Sequence, residues 1–210
     1  MRAALGHLAP RPWAADFYLA GGAALALHFG HRTAHGLDLM SGTNRLAPAD
    51  RRDLLADLLA VDAGCRVETA RDGYLFVRTG EGVPLRLFWY PYPLVDPVEE
   101  FAGFAVASPV DLALMKLGAV ISRGGRRDFV DLYVAARALG LETVLGRAEQ
   151  KFGHVGDFPL QAYKALADLG EAESEPMPEL AIELNWAAVR DWALAAAARG
   201  GREALERSAR

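Results

Sequence analysis

Cysteine is almost missing from this chain: Cys65 is the single one in 210 residues. No internal disulfide framework is therefore available, and the usage fits a reducing compartment. Lysine is scarce as well. Only Lys116, Lys151 and Lys164 stand among the 23 basic residues, so a lysine in an unusual place is informative here. No apolar run approaches the roughly 20 residues of a membrane-spanning helix. The stretch FYLAGGAALALHFG is too short and holds a glycine pair. The opening MRAALGHLAPRPW has no long apolar core ahead of its prolines, which speaks against a secretory leader. Excess positive charge is missing too. A formal charge of −4 argues against a general nucleic-acid coat protein while leaving room for a local basic cleft. These absences lead to the expectation of a soluble, cytoplasmic protein with no membrane association.

What is present is a globular composition, 52% hydrophobic and 24% charged, at a length suited to one ordinary domain or two small lobes. Strand signals come first. DFYLAGG reads as a strand from Asp16 to Ala20 closed by the Gly21-Gly22 turn, and AALALHFGHR has helix-forming composition. GLDLMS follows as a second strand, and Leu54, Leu55, Leu58 and Leu59 mark one face of a helix from about Ala49 to Val61. CRVETA, YLFVRTG and VPLRLFWY read as three further strands, and YPYPLVDP as an extended connector. From Ser108 onward the pattern is helical. Ser108, Pro109 and Asp111 form a start signal, and that helix runs to about Arg123. Further helices are expected from Asp128 to Gly140, at Leu141–Lys151, at Pro159–Gly170 and, capped by Asn185, at Trp186–Arg199, with EAESEPMPE as an acidic linker. No internal repeat is present. The reading is an α+β protein: a mixed-sheet lobe over residues 1–107 followed by an all-helical lobe over residues 108–210.

Three features carry candidate chemistry. In GLDLMS the alternation of a strand puts Gly36, Asp38 and Met40 on one face and Leu37 and Leu39 on the other. A carboxylate in so apolar a run needs a partner, a metal or a wet cleft. Upstream, Gly21-Gly22 opens a helix, where backbone N–H groups and the positive helix end suit a phosphate, although by geometry alone a glycine pair reads first as a plain tight turn. Lys116 has Leu112, Ala113, Ala119 and Val120 as its helical neighbours, with Arg123 on the same stripe. It either snorkels to solvent or faces a cleft between the lobes, as a cation suited to a triphosphate. SRGGRRDFVDLY then places Arg123, Arg126 and Arg127 around a glycine pair, followed by Asp128 and Asp131. Such a basic loop suits a polyphosphate or an RNA end. His28, His31 and His35 lie near Asp38 in sequence but read as turn histidines rather than ligands, and Cys65, Tyr18 and Tyr74 as core or near-core.

FYLAGGAALALHFGHRTAHGLDLMS, VPLRLFWYPYPLVDP and SPVDLALMKLGAVISRGGRRDFVDLY together resemble the AbiEii/AbiGii-type toxin family of nucleotidyltransferases, from about Phe17 to Tyr133. The resemblance implies a minimal polymerase-β-like nucleotidyltransferase lobe with a helical C-terminal lobe. It also implies a toxin-like activity that moves a nucleoside monophosphate from a nucleoside triphosphate to an RNA, such as tRNA, or to a protein. By the same resemblance Gly21, Gly22, Arg32, Lys116 and Arg123 bind nucleotide, and Asp38, Lys116 and Asp128 are catalytic, with Asp131 beside them. Asp38 becomes a metal ligand, Mg or Mn the cofactor of an active enzyme, and a cognate antitoxin a partner.

Two departures stand against that pattern. Gly36 occupies the place of the first aspartate of the family's Asp-x-Asp pair, and Arg86 stands where the wider superfamily has a third acid. Nucleotidyl transfer ordinarily uses two divalent ions held by carboxylates on neighbouring strands. Two readings therefore stay open: an active nucleotidyltransferase, or a degenerate module of the same fold that binds nucleotide, RNA or a protein without transfer.

Overall fold

A computed structural model describes residues 2–208. Seven strands form one mixed sheet: β1 (Tyr18–Ala20), β2 (Leu37–Ser41), β3 (Arg66–Arg71), β4 (Tyr74–Arg78), β5 (Pro84–Trp89), β6 (Glu99–Phe101) and β7 (Phe104–Val106), in the order β3-β4-β5-β2-β1-β7-β6. β2 pairs parallel with β5 and antiparallel with β1; β1 in turn pairs parallel with β7. Strand alternation builds the core directly. Leu37, Leu39, Leu75, Val77, Leu85 and Leu87 share one face and are buried, which is the periodicity expected of a sheet with one solvated side.

The helices are α1 (Arg2–Leu8), α2 (Gly21–Phe29), α3 (Pro48–Val61), α4 (Pro109–Ser122), α5 (Arg126–Leu139), α6 (Leu141–Leu145), α7 (Ala148–Phe152), α8 (Phe158–Ala167), α9 (Gly170–Ser174) and α10 (Trp186–Ser208). None of the described helices is long and apolar enough to cross a membrane. The chain divides into two units. One holds the chain up to Ala24 and Ala34–Ser108, with the whole sheet; the other holds Leu25–Thr33 and everything from Pro109 onward. The short segment joins the helical unit through hydrogen bonds. Arg32 forms a β-bridge with Leu180, the Thr33 amide donates to Glu179 and the Ala181 amide donates to His31.

The α+β class follows from this architecture, but several local expectations need correction. Residues from Asp16 do not begin a strand: Pro12–Asp16 is a 3₁₀ turn and β1 starts at Tyr18. The β6–β7 hairpin lies just after the expected connector, in a stretch where the sequence pointed to no element. Its turn uses Ala102 and Gly103, both at positive φ, and alanine there gives no turn signal. The stretch Leu141–Lys151 is two short helices broken at Gly146-Arg147, and the start of the acidic linker is helix α9. The N-terminal helix α1 carried no clear sequence signal. Asn185 does cap α10: its Oδ1 accepts the Ala188 amide at 2.9 Å. That helix continues past Arg199 through Gly200-Gly201. A Cβ on Gly200 would lie 2.1 Å from the Tyr163 ring, so the glycine is needed for α8 and α10 to pack closely rather than to stop the helix.

Candidate functional site

Asp38 is the second residue of β2, with Ala20 of β1 and Arg86 of β5 as its cross-strand neighbours. Its carboxylate is accessible, at 27% side-chain exposure, and Oδ1 accepts a hydrogen bond from Arg86 Nη1 at 3.2 Å. The other oxygen lies against the start of α2: a Cβ on Gly21 would fall 2.5 Å from Asp38 Oδ2. Gly21 also has φ +62°, so both space and backbone require glycine there. The glycine pair thus lets a carboxylate approach the first turn of a helix.

Gly36 is more than a missing acid. It sits in the bend before β2, and a Cβ there would lie 3.0 Å from the Pro84 carbonyl oxygen and 3.4 Å from Arg86 Nη1. β5 and its arginine occupy the space a second carboxylate would need. Among the described residues no three His, Cys, Asp or Glu side chains gather into a metal-binding group. Asp38 alone, already paired with a guanidinium, is a poor donor set for a pair of hard divalent cations, which need several oxygen ligands. His31 is not available to help, because it faces Asp131.

The helical unit holds a second and very different cluster. Lys116 of α4 is 7% exposed, and its Nζ lies 2.9 Å from Asp128 Oδ1 and 2.8 Å from Asp131 Oδ2, both on α5. Arg123 grips Asp128 with two bonds, 2.6 Å from Nε and 2.8 Å from Nη2. Arg32 grips Asp131 in the same way, at 2.6 and 2.8 Å. His31 Nε2 completes Asp131 at 2.8 Å. A carboxylate only accepts, so Nε2 carries the proton, and Nδ1 is buried with no hydrogen-bond partner among the described residues. Burial on its own would raise the Asp131 carboxyl. The bonds from Arg32 and His31 and the charge of Lys116 outweigh it and hold the group well below the ordinary carboxylate range. Asp128 is likewise raised by burial but held low by Arg123 and Lys116.

The residues singled out in the sequence thus fall into two sets. Gly21, Gly22 and Asp38 lie in the sheet unit; Arg32, Lys116, Arg123 and Asp128 lie in the helical unit and touch one another through shared carboxylates. Asp131, a bystander in the sequence, is the hub that ties Arg32, His31 and Lys116 together. Its spacing of three from Asp128 put both acids on one helix face, but no local signal pairs it with residues a hundred positions upstream. The basic loop also resolves differently. Arg126 donates to the carbonyls of Ala172 and Glu173 and stacks over Trp186 at 4.7 Å, and its amide donates to Glu175. That arginine fastens α5 to the following segment; Arg123 and Arg127 are exposed.

The fold, a mixed seven-stranded sheet in a chain with a helical unit, has solved counterparts. JHP933 from Helicobacter pylori matches with TM-score 0.56 at 18% identity, covering 99% of this chain and 91% of that one. A second Helicobacter pylori structure, described as a candidate nucleotidyltransferase, also gives TM-score 0.56 at 18% identity, over 97% and 92%. Identity so low speaks for the fold alone. An uncharacterized protein of Aquifex aeolicus is 28% identical over 181 residues, 84% of each chain. The sequence model of the nucleotidyl transferase AbiEii toxin family, of type IV toxin–antitoxin systems, matches residues 3–198. The chain belongs to that family.

Proposed function

We propose that this protein transfers a nucleoside monophosphate from a nucleoside triphosphate to an RNA acceptor, tRNA being the first to test, as a cytoplasmic toxin held by a cognate antitoxin protein. The observation that supports this reading is the accessible Asp38 carboxylate packed against Gly21 at the start of α2. The turn offers backbone N–H groups and a positive helix end to phosphate oxygens. Arg86 has donors beyond the one bonded to Asp38 and adds a fixed positive charge at the same place. In the transfer, an RNA hydroxyl oxygen attacks the α-phosphorus, the bond from that phosphorus to the β-phosphate bridging oxygen breaks, and pyrophosphate leaves. Asp38 accepts the hydroxyl proton. Incubation with labelled nucleoside triphosphates and tRNA tests the reading. Transfer by the wild type, lost in Asp38→Ala, supports it; no labelled product with either Mg²⁺ or Mn²⁺ overturns it.

A second reading has its own observation. The Asp38–Arg86 pair and the space filled beside Gly36 suit a module that binds nucleotide or RNA without transferring anything. Gly36→Asp alone would place its carboxylate against the Arg86 guanidinium, so the informative variant is Gly36→Asp with Arg86→Ser. Transfer that appears only in this double variant would decide for the degenerate module.

A further inference from the structure

The sheet face that carries Asp38 is unusual in what it offers to solvent. An antiparallel sheet with one wet face normally shows polar side chains there. Here β4 presents Tyr74, Phe76 and Arg78, and β5 presents Pro84, Arg86 and Phe88, all half-buried. The register aligns them: Tyr74 faces Phe88, Phe76 faces Arg86, and Arg86 faces Asp38 across to β2. On the edge strand β3, Arg71 faces Tyr74 and Arg66 faces Arg78. Arginines lie over the rings. The Arg71 guanidinium is 5.1 Å from the Tyr74 centroid, and those of Arg78 and Arg86 are 5.7 and 5.1 Å from Phe76. Tyr74 and Phe88 are 5.0 Å apart. Tyr74, expected to be core or near-core, lies half-buried on this face. Among the described residues the four arginines of this face meet two carboxylates, Asp38 and Glu68, so the face is positive on a chain whose formal charge is −4.

We propose that this face is a landing surface for single-stranded RNA. Bases stack on Tyr74, Phe76 and Phe88, the arginines meet phosphates, and the RNA runs from the β3 edge inward toward Asp38. The inference rests on RNA as the acceptor class and names the surface that would hold it. Every base has a π-face, so aromatic rings interleaved with cations suit an unpaired strand and not a duplex, whose bases are already stacked. The path from β3 to β2 crosses three interstrand steps of about 4.8 Å each. A sheet of that width stacks two or three bases in known RNA-binding domains.

Fluorescence anisotropy with a short labelled single-stranded RNA, and with its duplex as competitor, tests the proposal on the full chain. Wild type binds the single strand in preference to the duplex. Tyr74→Leu with Phe76→Leu, which keeps both positions apolar, weakens binding about tenfold or more. Arg71→Gln weakens it about threefold at low salt, and the difference disappears as salt rises. Unchanged affinity in variants with unchanged melting, no single-strand binding by wild type, or equal competition by the duplex overturns the proposal. If the double variant fails to fold, Arg71→Gln decides alone, because its side chain lies on the exposed edge strand. Failure here is separable from failure of the proposed activity. Transfer to RNA with an unchanged KM for RNA in the variants removes the landing surface and leaves the transfer standing. Single-strand binding lost in the variants, with no transfer to any acceptor, does the reverse.

Discussion

Two clusters of carboxylates and cations occupy this chain, and they differ in one physical respect. In the sheet unit, Asp38 and Arg86 make a single 3.2 Å contact with 27% and 37% of their side chains exposed. In the helical unit, Asp131 is wholly buried and receives Arg32, His31 and Lys116 at 2.6–2.8 Å. The first pair contributes little to stability and remains open to a ligand, because water screens it. The second has given up its water, so every charge depends on its partners. Motif residues that look equivalent in a sequence can thus be accessible in one place and buried as a structural hub in another.

The comparison can be broken most severely at the buried hub. Asp131→Ala leaves Arg32 buried without its carboxylate and Lys116 with Asp128 alone, and urea unfolding should show a loss of about 3–5 kcal/mol. A loss below about 1 kcal/mol would mean that the network does not hold the helical unit together. Lys116→Met is milder, since Asp128 keeps Arg123 and Asp131 keeps Arg32. About 1–3 kcal/mol is expected from the same measurement.

Acid sharpens the contrast. Asp128 and Asp131 have folded values below their ordinary ones, so at low pH the folded state binds fewer protons than the unfolded state. Their contribution is complete above about pH 5 and fades as pH falls through about 4, the ordinary carboxylate range. Urea midpoints from pH 7 to pH 3 should fall steeply for wild type and less steeply for Asp131→Asn. The smallest stability effect belongs to the sheet unit. Asp38→Ala should move the unfolding free energy by less than about 1 kcal/mol.

Much of this was legible in the sequence, for identifiable reasons. Strands β2, β4 and β5 alternate cleanly, so their buried leucines and valines and the half-buried Asp38 on the opposite face follow from period two alone. The capping signal of Asn185 is local and so is readable. What escaped depends on tertiary context. The β6–β7 turn uses alanine at a positive φ, and α10 runs through two glycines because Tyr163 fills the space beside Gly200. At the site, the absent carboxylate at Gly36 was plain, but the reason was not: β5 packs Pro84 and Arg86 into that space. The role of Asp131 was hidden because its partners Arg32 and His31 lie about a hundred residues away. The open aromatic face was hidden for a similar cause, since alternation alone does not say which face a second layer covers.

The central claim is that the accessible Asp38, and not the buried acids, is where the chemistry occurs. Labelled nucleotide transfer to tRNA by wild type and by Asp38→Ala, with melting temperature recorded on the same preparations, tests it most directly. The expected variant melts with the wild type and transfers nothing. A variant that still labels RNA at the wild-type rate, or a wild type that labels none, contradicts it.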